Sequence, residues 1–136
     1  MSADFAPMKT HWMLVDDDAD ILRVLAAVVV TITDAEIETF CSASEAFAAF
    51  AAEPEKYQLV ITDYEMPEMD GVELCRRMRV LVLNQNIFLA SGGGFFTDAV
   101  AGRTGFGALL NKPFPISALR EDWAKTFLKN ESACAA

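Results

Sequence analysis

The sequence has few cysteines, few cations and no long apolar run, and each shortage excludes a class of protein. The three cysteines, Cys41, Cys75 and Cys134, are far apart and form no CxxC pair, so neither a disulfide framework nor a zinc site is indicated. A net charge of -9 with no Lys/Arg cluster argues against a nucleic-acid partner, because phosphate recognition needs concentrated positive charge. The most apolar stretch, 24–32, has about half the length of a membrane-spanning helix.

The N-terminal residues show no secretory signal. Residues 1–11 contain Asp4 and lack the apolar core of a signal peptide. Since the cysteines also suit a reducing compartment, we expect a cytoplasmic protein without a membrane partner.

Length and composition indicate one compact domain. The chain has 136 residues, of which 53% are apolar, and this is enough to bury a substantial core. No internal repeat, low-complexity tract or linker divides it. We expect a flexible N-terminal extension over 1–10, one domain over 11–129 and a loose C-terminal tail over 130–136.

Short apolar runs alternate with helical patterns along this domain. The five predicted strands are 12–15, 37–40, 59–62, 87–90 and 108–111. Because right-handed crossovers between such strands place helices on both faces of a parallel sheet, we predict an α/β fold. The most economical form is a doubly wound, flavodoxin-like sheet of order 2-1-3-4-5 with five helices.

Local signals refine several of these elements. Apolar residues recur at helical spacing as far as Ile32 in the first predicted helix, and Asp18 fits its N-cap. A third helix, over about 72–83, would turn Leu74, Met78 and Leu81 inward. The single histidine, His11, lies before the first predicted strand, and we expect it to be solvated.

Polar residues follow four of the five predicted strands. Asp16 and Asp17 follow the first, Asp63 the third, Ser91 the fourth and Lys112 the fifth, so all five should meet at the carboxyl edge of the sheet. Three converging carboxylates repel one another unless a cation lies between them, and an all-oxygen site suits Mg²⁺. A carboxylate beside Mg²⁺ can attack phosphorus and form an aspartyl phosphate. The lysine and the hydroxyl would then contact phosphoryl oxygens.

Four segments of the chain resemble the receiver domain of the two-component response-regulator family. In order, they are MLVDDDADILRVL, LVITDYEMPEMDG, FLASG and LLNKPF. The resemblance implies that Asp63 is the phosphoacceptor. It implies also that Asp16 and Asp17 bind Mg²⁺ and that the backbone carbonyl of Glu65 is a third metal ligand.

The resemblance also concerns signalling. It implies that Ser91 is the switch hydroxyl and that Lys112 is the invariant lysine of the family. The family carries an aromatic residue three positions before that lysine, whereas this chain has Leu109. We therefore expect a switch that is muted or differently built.

The resemblance implies a stand-alone receiver that accepts a phosphoryl group on Asp63 from a phosphohistidine. The donor would be a sensor histidine kinase or a histidine phosphotransfer protein. We expect no output module after the last helix. The signal would then leave through the face built from the fourth helix, fifth strand and fifth helix, or by onward phosphotransfer. Such a protein is not a conventional enzyme, although it catalyses its own phosphorylation and slow autodephosphorylation.

Two alternatives stay open at this point. Asp16 and Asp18 have the DxD spacing of a haloacid-dehalogenase-type phosphohydrolase, although we do not recognise that family's later acidic-ligand pattern after Lys112. The other alternative is a degenerate receiver that acts as a binding module. Leu109 favours this alternative, whereas the retained acidic residues argue against it.

Overall fold

Strands and helices alternate in the computed structural model of the chain, which describes residues 11–91, 108–111, 120–121 and 124–125. The elements are β1 (His11–Val15), α1 (Ala19–Val29), β2 (Glu36–Phe40), α2 (Ala43–Ala52), β3 (Tyr57–Asp63), α3 (Gly71–Leu81), β4 (Ile87–Ser91) and β5 (Ala108–Asn111). All strand pairs are parallel, and the sheet order is β2-β1-β3-β4-β5. The predicted doubly wound order is therefore confirmed. The predicted fourth helix and most of the fifth lie outside the described residues.

The interior strand β1 is buried on both faces of the sheet. Trp12 and Leu14 belong to one apolar cluster together with α1, whereas Met13 and Val15 belong to a second cluster together with α2 and α3. Because side chains alternate along a strand, one short apolar run supplies both cores. This burial fixes the end of β1 in the middle of the sheet edge.

Side-chain caps begin the three helices. Asp18 caps α1 by accepting from the backbone N–H groups of Asp20 and Ile21, as predicted. Ser42 and Asp70 cap α2 and α3 in the same way. Each cap typically contributes about 1 kcal/mol to stability. No helix among the described residues is long and apolar enough to cross a membrane.

The C-terminal end of α3 differs from the prediction. Leu74 and Met78 are buried as expected, but Leu81 is 46% exposed, so its predicted inward position is wrong. The helix ends at Leu81, and the extended backbone of Val82 turns the Val82 side chain into the core, where it is 6% exposed. Val82 therefore takes the apolar position that the helical pattern assigned to its neighbour.

The expectation of a solvated His11 is also wrong. His11 is the first residue of β1, and its Nε2 lies 3.4 Å from Glu36 Oε2 and 3.7 Å from Glu38 Oε2. Glu38 also binds Lys56 Nζ at 3.0 Å and accepts a hydrogen bond from the Tyr57 hydroxyl at 2.7 Å. We call these five residues the amino-edge cluster. They join the beginnings of β1, β2 and β3.

The amino-edge cluster changes the titration of its members. Burial raises the pKa of the Glu38 carboxyl, but hydrogen bonds from Tyr57 and Lys56 oppose it, and the net pKa lies below the ordinary value of 4.5. Burial and the bond to Glu38 raise the pKa of Tyr57. Glu38 is thus held as an anion between its donors.

Candidate functional site

Three aspartates converge at the carboxyl edge of the sheet. Carboxylate oxygens of Asp16, Asp17 and Asp63 all lie within 4.8 Å of one another. Asp16 is 3% exposed and Asp63 is 8% exposed, whereas Asp17 faces solvent. We call these residues the acidic triad. The structure therefore brings together the three acids that the strand ends predicted.

Strand register explains this convergence. Val15 of β1 lies beside Thr62 of β3, so the next residue along the chain in each case, Asp16 and Asp63, reaches the same edge. The backbone N–H of Asp16 donates to Phe40 O at 3.1 Å, which extends the β1 to β2 ladder by one residue. Neighbouring parallel strands thus deliver two largely buried carboxylates side by side.

The turn after β1 separates the roles of its three aspartates. Asp16 Oδ1 accepts from the backbone N–H of Asp18 at 2.9 Å, which tightens the turn. Asp18 is exposed, and its own carboxylate caps α1. Among the described residues, Asp18 is not part of the acidic triad. The DxD spacing is therefore accounted for by a turn and a helix cap.

The backbone around Asp63 is held by close packing against α3. The Tyr64 N–H donates to Ala90 O at 2.8 Å, and the Gly71 N–H donates to Tyr64 O at 2.8 Å. A Cβ atom on Gly71 would lie 2.4 Å from Asp63 O and 2.6 Å from Leu89 Cδ1. Glycine is therefore required at this position. Sequence reasoning did not identify this contact.

The loop between β3 and α3 contains one strained residue. Glu68 has a φ of 72°, which is in the left-handed region that side chains other than glycine disfavour. The neighbouring backbone is tightly turned, with Met69 N–H donating to Pro67 O at 2.7 Å. Strain of this kind is often stored beside functional sites.

A groove opens beside the acidic triad. It has a volume of about 590 Å³ and is lined by Asp17, Tyr64, Glu65, Met66, Pro67 and Asp70. Its lining includes apolar and aromatic groups as well as carboxylates. Of the acidic triad, Asp17 lines this groove, and Tyr64, the residue after Asp63, lies in its wall.

The donor set of the acidic triad fits a hard divalent cation. Mg²⁺ prefers oxygen ligands at about 2.1 Å, so two ligands on opposite sides of the ion lie about 4 Å apart. The observed limit of 4.8 Å between the three carboxylates approaches that spacing. Three nearby negative charges also favour a cation between them. Sulfur and imidazole ligands, which suit zinc, are not part of the group.

The other predicted site residues fall partly or wholly outside the described structure. Ser91 ends β4 and pairs in register with Asn111, the last residue of β5. Leu109 lies within β5, in register with Leu89. Lys112 follows β5 and is outside the described residues. The order of the strands agrees with the predicted carboxyl edge of the sheet. The side-chain roles of Ser91, Leu109 and Lys112 stay predictions.

Comparison with known proteins gives consistent matches. A family model, the response regulator receiver domain, matches residues 13–123. Sporulation initiation phosphotransferase F of Bacillus subtilis is 30% identical over 127 residues, which cover 92% of this chain and 99% of that protein. Transcriptional regulatory protein GlrR of Escherichia coli is 31% identical over 110 residues, which cover 80% of this chain. That match spans 24% of GlrR, so the chain corresponds to about a quarter of this relative.

A solved structure shares the fold. The crystal structure of the CheX–CheY complex with BeF₃ and Mg²⁺ from Borrelia burgdorferi matches with a TM-score of 0.79 and 18% identity. The match covers 93% of this chain and 94% of that chain.

Proposed function

This chain belongs to the response regulator receiver domain family, and on that premise we propose that Asp63 accepts a phosphoryl group from a phosphohistidine. The observation that carries the proposal is the acidic triad, in which a largely buried Asp63 lies beside Asp16 and Asp17 at the end of β3. A carboxylate in this position is a competent nucleophile toward phosphorus.

The proposed step is a simple exchange of bonds. A carboxylate oxygen of Asp63 attacks the phosphorus, a P–O bond forms and the P–N bond to the donor imidazole breaks. The imidazole leaves with its electron pair and takes a proton. The groove beside Asp17 and Tyr64 gives the donor ring a path to this side of Asp63. Holding the two reacting groups in line is the main contribution of the protein.

Mg²⁺ is the proposed cofactor of this step. The carboxylates of Asp16 and Asp17 would hold it, with Asp63 itself and the backbone carbonyl of Glu65 as further ligands. When bound, the ion offsets the negative charge of the acids and of the phosphoryl oxygens.

Three further positions complete the proposal. Lys112 contacts the phosphoryl oxygens as a point charge, and the Ser91 hydroxyl donates a hydrogen bond to one of them. Phosphorylation adds about 1.5 to 2 negative charges at this edge of the sheet. The added charge draws Ser91 inward and changes the face that includes β5. Leu109, which stands in place of the family's aromatic residue, makes this switch differ from the usual one.

The proposed partners are a sensor histidine kinase or a histidine phosphotransfer protein, in the cytoplasm. We propose that residues 11–129 act as a stand-alone receiver, which signals by protein contact or by onward phosphotransfer. The match along almost the whole length of sporulation initiation phosphotransferase F supports this reading. The match to one quarter of GlrR supports the alternative that a receiver of this kind serves a larger regulator.

Intact-protein mass after incubation with acetyl phosphate and Mg²⁺ tests the proposal. We expect wild type to gain one phosphoryl group and Asp63→Asn to gain none. Glu65→Gln is the matched control, because the proposed role of Glu65 uses its backbone carbonyl, and it should still gain the group. Incorporation that survives Asp63→Asn would contradict the assignment. No incorporation in wild type that binds Mg²⁺ would favour the binding-module alternative.

A further inference from the structure

The outer surface of α3 exposes an unusual group of apolar side chains. Val80 is 83% exposed, Leu83 is 85% exposed and Leu81 is 46% exposed. They cluster within four residues at the C-terminal end of the helix, and they are not needed by either apolar core. Contiguous apolar groups at a protein surface commonly mark an interaction site.

Cations lie on the same surface. Arg76, Arg77 and Arg79 are close together in the sequence, so the expectation of no Lys/Arg cluster is wrong at this point. Arg76 and Arg77 are exposed, whereas Arg79 is partly buried and donates to Gln85 O at 2.8 Å. Arg76 Nη1 and Arg77 Nε each lie 2.9 Å from an oxygen of Glu73. One carboxylate therefore faces two guanidinium groups, and these three side chains keep a net charge of +1.

Helical spacing places the two kinds of group together. Arg76 is one turn before Val80, and Arg77 is one turn before Leu81. The side chains of Arg76 and Arg77 are 74% and 52% exposed. We call Arg76, Arg77, Val80, Leu81 and Leu83 the α3 patch. Its basic half lies on α3, and its apolar half lies at the C-terminal end of the helix and just beyond it.

We propose that the α3 patch is a docking surface for an acidic amphipathic segment of another protein. Apolar side chains of the segment would cover Val80, Leu81 and Leu83, while its carboxylates would face Arg76 and Arg77. Charge complementarity of this kind fixes the register of a docked helix and speeds its association.

The charge of the whole chain favours a short segment over an extended anionic surface. An anionic membrane or a nucleic acid would extend beyond the α3 patch and meet more of the acidic groups that give the chain its net charge of -9. A segment that covers the α3 patch interacts mainly with charges within about 8–10 Å, because salt screens more distant ones. The local excess of positive charge then decides the interaction.

The position of the α3 patch allows docking without covering the acidic triad. Gly71, which packs against Asp63, begins α3, whereas the patch lies at the other end of this 11-residue helix. A helix of that length spans about 16 Å. This proposal does not depend on phosphoryl transfer, because it stands on the exposure and charge of the α3 patch alone.

Selection from a displayed library of random peptides, each about four helical turns long, tests the proposal with the full chain as bait. We expect enriched peptides to combine two or more apolar residues at i, i+3 or i+4 spacing with several Asp or Glu residues. Val80→Ser/Leu83→Ser should weaken their affinity by about tenfold or more, as truncation of an interface centre does. Arg76→Gln/Arg77→Gln should weaken it and reduce its dependence on salt.

Val24→Ser is the matched control, because Val24 on α1 is an aliphatic residue that is 66% exposed. It should leave peptide binding unchanged. No enrichment, or enriched peptides that bind wild type and Val80→Ser/Leu83→Ser equally, would overturn the proposal. Two other results would also overturn it: pelleting of wild type alone with phosphatidylserine vesicles, or a wild-type dimer that Val80→Ser/Leu83→Ser abolishes.

Discussion

The two edges of the sheet gather charged residues in opposite ways. At the amino edge, Glu38 is surrounded by Lys56, His11 and the Tyr57 hydroxyl, so the anion meets the Lys56 cation and polar partners within the protein. At the carboxyl edge, the acidic triad places three like charges within 4.8 Å beside a groove. The first arrangement stabilises the fold, while the second is suited to bind a cation and a reacting group.

The comparison shows why a cluster of charged residues does not by itself indicate function. Both clusters join β1 to β3, and both contain largely buried members. They differ in the sign balance of their charges and in access to a groove. Exposed or balanced ion pairs usually contribute little beyond local stability, whereas converging carboxylates with no internal cation are suited to bind one.

The largest effect is expected from a steric clash at the carboxyl edge of the sheet. Gly71→Ala should lower the free energy of unfolding by about 3 kcal/mol, because the added Cβ meets Asp63 O and Leu89 Cδ1. The gain in helix propensity from glycine to alanine, about 1 kcal/mol, is smaller than this clash. Urea unfolding measures the change. Ala27→Gly on the exposed side of α1 is the control and should cost at most about 1 kcal/mol. A stabilised Gly71→Ala would contradict the close packing.

Removing the centre of the amino-edge cluster should have the next largest effect. Glu38→Ala leaves the hydroxyl of the buried Tyr57 without its acceptor, and we expect a loss of about 2 kcal/mol in unfolding free energy. Glu36→Ala is the control, since the Glu36 side chain is 79% exposed, and its effect should stay within about 0.5 kcal/mol. Equal losses in the two variants would show that the cluster is not organised around Glu38.

The contribution of Glu38 should depend on pH with a definite sign. Its folded-state pKa is below the ordinary value of 4.5, so the charged form stabilises the fold above that pH. The contribution is lost as pH falls through the lower folded-state pKa. Unfolding of wild type and Glu38→Gln, compared between neutral and strongly acidic pH, should show a difference that shrinks below pH 4.5. A difference that grows with acidity would reverse this assignment.

The smallest effect is expected from relieving the backbone strain at Glu68, beside the acidic triad. Glu68→Gly should raise the unfolding free energy by about 0.5–1 kcal/mol, because glycine adopts positive φ without the steric penalty. Glu65→Gly is the control. Glu65 lies in the same loop without a positive φ, so its replacement should be neutral or destabilising. Thermal unfolding of both variants distinguishes strain relief from a general tolerance of glycine in the loop.

Local rules predicted the features that depend on neighbouring residues. A short run of apolar residues predicted β1, and the preference of aspartate for helix N-termini identified Asp18 as a cap. The strand ends also predicted the acidic triad, because parallel strands bring their carboxyl ends to one edge. These inferences required only spacing and residue type.

What the sequence did not reveal depends on the geometry of the folded chain. His11 was expected to be solvated, yet its partners lie on the neighbouring strand, β2. Leu81 follows a helical pattern, but the turn at Val82 decides which side chain is buried. The need for glycine at 71 follows from its approach to Asp63 and Leu89, which no spacing rule reveals.

Calorimetric titration with Mg²⁺ tests most directly the claim that the acidic triad at the carboxyl edge binds a cation. Wild type, Asp16→Asn and Glu38→Ala should be compared, since an asparagine amide oxygen at position 16 could still accept the hydrogen bond from the Asp18 N–H. We expect one ion per chain in wild type and in Glu38→Ala, and binding at least about tenfold weaker in Asp16→Asn. Equal affinity in wild type and Asp16→Asn, or no binding in wild type, would contradict the assignment of the acidic triad as the metal site.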